Sequence, residues 1–172
     1  PDFYIFRPTS IWGPWFKAPY KDFFEMCLSE KYVKVGKRSS IKTYGFVGNA
    51  TNQIISLFKN TDKSITSDSL IYVGDLDPIN ADEWSEKICK AGNKKKPKTV
   101  PFFLIKFGGF VGDFLDKFNI RFPITSFRIN NMTTNNIYTK KQLCIRNKYE
   151  HFSLEEGIAS TLEWLSLNKS FK

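Results

Sequence analysis

Few side chains in this 172-residue sequence have the type and spacing that chemistry needs. There is one histidine, His151, and there are three cysteines, Cys27, Cys89 and Cys144. A structural zinc site draws four ligands from closely spaced Cys or His pairs, and no such pair occurs. A Cys–His nucleophilic couple needs only proximity in space, so spacing leaves it open. An odd number of scattered thiols fits buried cysteines in a reduced, intracellular protein better. The nearest approach to a dinucleotide-binding turn is Gly108-Gly109-Phe110-Val111-Gly112. It lies inside a helical phenylalanine repeat rather than after a strand, and Gly-x-Gly-x-x-Gly is absent.

Charge is more informative. Lys and Arg number 26 against 17 Asp and Glu, a net charge of +9. That balance suits an anionic partner: nucleic acid, a membrane surface or a phosphorylated small molecule. The densest run, Lys94, Lys95, Lys96 and Lys98, is broken by Pro97 and reads as a solvated loop. No helix gathers Lys and Arg on one face and no RNP-like strand occurs, so a nucleic-acid module lacks its motif. Apolar residues make up 41%, with 17 Phe, enough for a real core. The most apolar window, 100–118, contains Lys106, Asp113, Asp116 and Lys117, which excludes a spanning helix.

The elements that would carry these groups follow from periodicity. Phe3 to Arg7 and Leu70 to Val73 are short apolar runs with the character of buried strands, the second ending at Gly74-Asp75. Pro8 to Tyr20, rich in proline, reads as an irregular loop. Lys21 to Lys31 has a helical stripe, Tyr32 to Val35 is a short strand, and Ile41 to Val47 is extended. Asn49 is placed to cap a helix from Ala50 to Lys59, and Asn80 to cap a helix holding Trp84 and Ile88. Pro101 suits a helix start, and Phe103, Phe107, Phe110, Phe114 and Phe118 recur at helical spacing. That stripe is read as a helix buried on two sides, the alternative being a substrate lid or a membrane-touching face. Pro123 to Tyr138 is ambiguous. Ser153-Leu154-Glu155-Glu156 is a capping box opening a helix whose buried stripe is Ile158, Leu162 and Leu165.

Four segments, in order, bring a family into view. Phe6-Arg7-Pro8-Thr9-Ser10-Ile11-Trp12-Gly13-Pro14 resembles the Arg-Pro-x-x-x-x-Gly-Pro stretch of extended short-chain dehydrogenases/reductases. Tyr44-Gly45-Phe46-Val47-Gly48-Asn49 is similar to that family's aromatic-x-x-Val-x-Asp segment. Ile71-Tyr72-Val73-Gly74-Asp75 resembles its last sheet strand, and Ser153 to Leu165 its closing helix. The nearest branch is the NAD-dependent epimerase/dehydratase group; the Pro101–Phe118 helix also resembles the 3β-hydroxysteroid dehydrogenase branch.

The resemblance implies an α/β fold. It would be the C-terminal part of such a protein, with two remaining parallel Rossmann-sheet strands and a small mixed α/β substrate-binding subdomain. Residues 1–172 form a single substrate-binding region in this reading, with the dinucleotide-binding part upstream of Pro1, which reads as a cut end. No Tyr-x-x-x-Lys, the family's general acid and its partner, occurs. The chain alone is therefore expected to be inactive and to bind no cofactor, while the complete protein uses NAD or NADP. The substrate implied is a nucleotide-diphosphate sugar, bound by Ser10, Lys42, Tyr44 and Arg128. Pro8 and Thr9 would line the nicotinamide side. Lys42 stands where relatives place a diphosphate-gripping Arg, keeping the charge without the bidentate fork. A cytoplasmic location, no nucleic acid, no membrane span and a homo-oligomer formed through the bare sheet edge complete the expectations. The competing readings are a basic nucleic-acid module, a membrane-surface module and a steroid-dehydrogenase-like fragment.

Overall fold

The computed structural model describes residues 5–36, 39–59, 70–120, 125–139 and 151–169. The order is β1 (Ile5–Pro8), β2 (Ser10–Trp12), α1 (Tyr20–Leu28), β3 (Val33–Val35), β4 (Ile41–Lys42), β5 (Tyr44–Phe46) and α2 (Val47–Lys59). It continues with β6 (Leu70–Val73), β7 (Ile79–Asn80), α3 (Ala81–Ala91), β8 (Lys98–Val100), α4 (Phe102–Asp116), α5 (Ser126–Thr133) and α6 (Leu154–Lys169). The chain divides into two compact units, the first comprising 1–24, 43–79 and 137–172, the second 25–42 and 80–136.

In unit 1 the two apolar runs pair as expected. β1 and β6 are parallel, with Ile5 opposite Leu70 and Pro8 opposite Val73. A second parallel pair, β2 with β5, sets Ser10 opposite Tyr44 and Trp12 opposite Phe46. β2 corrects the reading of Pro8 to Tyr20 as wholly irregular: three residues suffice for a strand when a parallel partner takes up their backbone groups. Ala50 of α2 packs on Ile71 and Val73, with Phe6, Ile11, Ile54 and Leu57 around them.

A second core in this unit is aromatic. Trp12, fully buried, lies 5.1 Å from Phe46 and 5.8 Å from Phe24 between ring centroids. Phe46 in turn meets Phe152 edge-on at 5.6 Å, an arrangement the ring quadrupoles favour. Gly157 of α6 is what admits these rings, because a Cβ there would stand 2.8 Å from Trp12 and 3.0 Å from Phe46. The expected capping box starts α6: Ser153 N and Oγ both donate to Glu156, and Glu156 N donates back to Ser153 Oγ. Of the expected stripe, Ile158 and Leu165 are buried and Leu162 is half-buried.

Asn49 does not cap α2. The helix starts two residues earlier at Val47, and Asn49, buried in its first turn, spends its side chain elsewhere.

Unit 2 is built on the parallel pair β3–β8, in which Val35 faces Val100. Val35, Ile105 and Ile129 form its core with Val33, Val100 and Phe102. Asn80 caps α3 as expected, accepting from Asp82 N and Glu83 N, and Trp84 and Ile88 are buried. α4 begins after Pro101, but its orientation differs from expectation. Ile105, Gly109 and Gly112 are its buried residues, while Phe103, Phe107, Phe110, Phe114 and Phe118 are 55–71% exposed. The helix therefore buries one narrow face, that of its small residues: Gly109 lets Ile129 and Ser126 of α5 approach closely. Among the described residues no helix is long and apolar enough to cross a membrane.

Candidate functional site

In unit 1, Pro8 and Thr9 sit at the carboxyl end of β1, the place where open α/β sheets receive ligands, while Ser10 and Tyr44 open β2 and β5. Pro8 closes β1, and Thr9 continues the ladder by donating its N–H to Val73 O at 2.8 Å. Pro8 is exposed. The Thr9 side chain turns inward and packs on Gly74 and Gly45, which have no Cβ to oppose it. Its hydroxyl is buried there with no hydrogen-bond partner among the described residues. Pro8 thus presents its ring outward at the end of β1, while Thr9 is turned inward.

Ser10 has a partner that sequence reasoning missed. Its hydroxyl is hydrogen-bonded to Tyr20, and the Tyr20 ring meets Tyr44 edge-on at 5.9 Å. Burial raises the Tyr20 phenol above its ordinary range, partly offset by the Ser10 bond. Burial, reinforced by Tyr20, also raises Tyr44. Both phenols thus stay protonated at neutral pH, able to donate hydrogen bonds but unable to act as bases. Only the aromatic type of Tyr20 at a helix start hinted at this role.

A polar clamp lies beside them. Asp75 accepts from Phe46 N and from Asn49 Nδ2, each at 2.9 Å, and donates its own N–H to Tyr44 O. Asn49 also bonds the Phe152 backbone on both sides, Nδ2 donating to the carbonyl at 3.0 Å and Oδ1 accepting from the N–H at 2.7 Å. Burial raises the Asp75 carboxyl, opposed by these hydrogen bonds. The clamp fixes Tyr44, Phe46 and the entry to α6 together.

Unit 2 holds the cations. Lys42 is half-buried, and its ammonium donates to Asn131 O of α5 at 2.6 Å. Burial lowers its pKa. An ammonium has three donors, so two remain after this bond. Arg128 belongs to the same helix, one turn before Asn131; its side chain lies outside the described residues. Of the residues named from sequence, Lys42 of β4 reaches the α5 backbone, and Ser10 and Tyr44 pair across β2–β5. The arrangement in unit 2 suits a phosphate-bearing ligand, with Lys42 as a point charge.

The thiols have no such role. Cys27 and Cys89 are buried, Cys89 Sγ lying 3.5 Å from Cys27 O, and burial raises both thiols out of the nucleophilic range. Cys144 lies outside the described residues. No group of three or more His, Cys, Asp or Glu that could hold a metal occurs among the described residues.

No family model matches the chain. A curated relative, the N-acetyl-alpha-D-glucosaminyl-diphospho-ditrans,octacis-undecaprenol 4-epimerase of Escherichia coli O157:H7, is 22% identical over 163 residues. The match covers 93% of this chain and 48% of the relative, so the chain spans about half its length. Among solved structures, UDP-glucuronic acid 4-epimerase from Bacillus cereus in complex with NAD superimposes with a TM-score of 0.61 at 10% identity. That alignment covers 96% of this chain and 45% of the enzyme. A human epimerase family protein with NADPH gives a TM-score of 0.61 at 7% identity, covering 93% and 48%. The chain therefore has the α/β fold of these solved epimerase structures over about half of their length.

Proposed function

We propose that this chain is the substrate-binding portion of an NAD(P)-dependent epimerase/dehydratase whose substrate is a sugar carried on a diphosphate, a nucleotide-diphosphate sugar foremost. The observation that carries this reading is the half-buried Lys42 ammonium, held by a single helix carbonyl of α5, the helix that also bears Arg128. A carbonyl acceptor orients the ammonium without neutralising it, so its charge stays available to an anion. In unit 1, Ser10 and the protonated phenols of Tyr20 and Tyr44 supply hydroxyls suited to sugar recognition. Pro8 and the Thr9 backbone are the edge that would face a nicotinamide in the complete protein. Proton and hydride transfer belong to residues outside this sequence, because Tyr-x-x-x-Lys is absent from it.

The E. coli relative is named for a sugar on a diphospho-polyprenol, and the Bacillus enzyme for a UDP-sugar. The diphosphate is common to both, which supports it as the shared determinant. Calorimetry with a UDP-sugar tests the proposal. Lys42→Ala is expected to weaken binding about tenfold, the worth of one charge-assisted hydrogen bond, and Lys42→Arg to restore it. Equal affinity in all three proteins would remove Lys42 from the site. We also propose self-association through β1–β6, where Ile5 and Leu70 are exposed at 47% and 42%.

A further inference from the structure

The outward face of α4 is unexplained by any role above. At 3.6 residues per turn, Phe103, Phe107, Phe110 and Phe114 fall in one stripe on the side opposite Ile105, Gly109 and Gly112. Phe118 and Ile120 prolong it beyond the helix, and Phe127 of α5, 74% exposed, adds a further ring within the unit. Phenylalanine has no polar handle to reward exposure to water, and a soluble surface seldom shows so many in one row. Lys106 and Lys117, both exposed, fall along one border of the stripe.

The charge of the molecule follows the same unit. Residues 25–42 and 80–136 carry fifteen Lys and Arg against seven Asp and Glu, a net +8. The rest of the chain carries eleven against ten, a net +1. The unit with the bare aromatic face is therefore the unit with nearly all of the net positive charge. An apolar helical face bordered by lysines on a cationic body is complementary to one kind of surface, an anionic lipid headgroup layer over an acyl interior. A protein partner would match the rings but has no general reason to match the charge.

We propose that α4 docks in the plane of an anionic membrane surface, its phenylalanines entering the headgroup boundary and Lys106 and Lys117 meeting lipid phosphates. The helix lies on the bilayer and does not cross it: its 15 residues are about 22 Å long. This docking stands apart from sugar recognition and needs none of the sugar-binding residues.

Co-sedimentation of the 172-residue chain with vesicles tests it. The chain is expected to pellet with phosphatidylcholine/phosphatidylglycerol vesicles and to bind pure phosphatidylcholine weakly. A Phe107→Ser/Phe110→Ser variant is expected to bind about tenfold more weakly, because two rings leave the apolar boundary. A Lys106→Ala/Lys117→Ala variant is expected to lose binding to the anionic vesicles only, and high salt should mimic it. Neither pair touches the buried face of α4; a far-UV spectrum unchanged from the parent confirms the fold of each. Absence of vesicle binding by the parent chain overturns the proposal. So does vesicle binding unaltered in the phenylalanine variant. A dimer that the phenylalanine variant abolishes, with no vesicle uptake, would assign the face to a second copy, and retention by DNA alone would assign the charge to nucleic acid.

Discussion

Lys42 is where burial, charge and neighbour can be weighed against one another. Its ammonium is half-buried beside a helix carbonyl, and desolvation pulls its pKa below the ordinary lysine range. The free unit therefore releases this proton earlier than a surface lysine does. Diphosphate affinity is expected to hold through neutral pH and to fall as pH rises through the lowered pKa of Lys42; an affinity flat across that alkaline window argues against the contact. Stability moves the opposite way. Over the interval between the folded and unfolded pKa values the unfolded chain binds more protons, so stability rises with pH there. Asn49 and Asp75 show the limit of sequence reasoning at this scale. Each is visible in the sequence as a polar residue beside an apolar element, and the commonest local role for Asn49 there is a helix cap. Its actual partners, Asp75 and the Phe152 backbone, lie 26 and 103 residues away. No spacing rule reaches that far. The Ser10–Tyr20 bond was hidden for the same reason.

Elements were legible where their determinants are local. The Asn80 cap and the Ser153–Glu156 box are written in residues two or three positions apart, and both formed as expected. β1 and β6 were recognisable as apolar runs. β2 and β8, three residues each, owe their existence to distant partners, and nothing in Ser10–Trp12 or Lys98–Val100 announces them. α4 is the instructive case. Its period announced a helix, but a stripe of one residue type does not say which side faces the core. Gly109, smooth enough for α5 to approach, and the buried Gly112 mark the inner side, and the rings face out. Gly157 plays a comparable part in α6. Gly157→Ala is expected to cost about 1–3 kcal/mol, because the rigid rings of Trp12 and Phe46 must shift to admit the methyl group. A melting temperature equal to the parent's would mean that the aromatic core yields more easily than its contacts suggest.

Across the whole molecule the proposed roles divide by unit: the hydroxyls of Ser10, Tyr20 and Tyr44 in unit 1, Lys42 against α5 in unit 2, and an outward aromatic face where the charge is greatest. The fold was legible because four segments kept their order along the chain; the side-chain partners inside each unit were not, because folding chose them across long separations. The account rests on recognition of the diphosphate rather than of the base or the sugar. Isothermal titration of the chain with UDP and, separately, with uridine tests that most directly. UDP is expected to bind within a few-fold of a UDP-sugar while uridine binds at least about tenfold more weakly, the loss expected when charge-assisted contacts are removed. Equal binding of uridine and UDP would contradict the account.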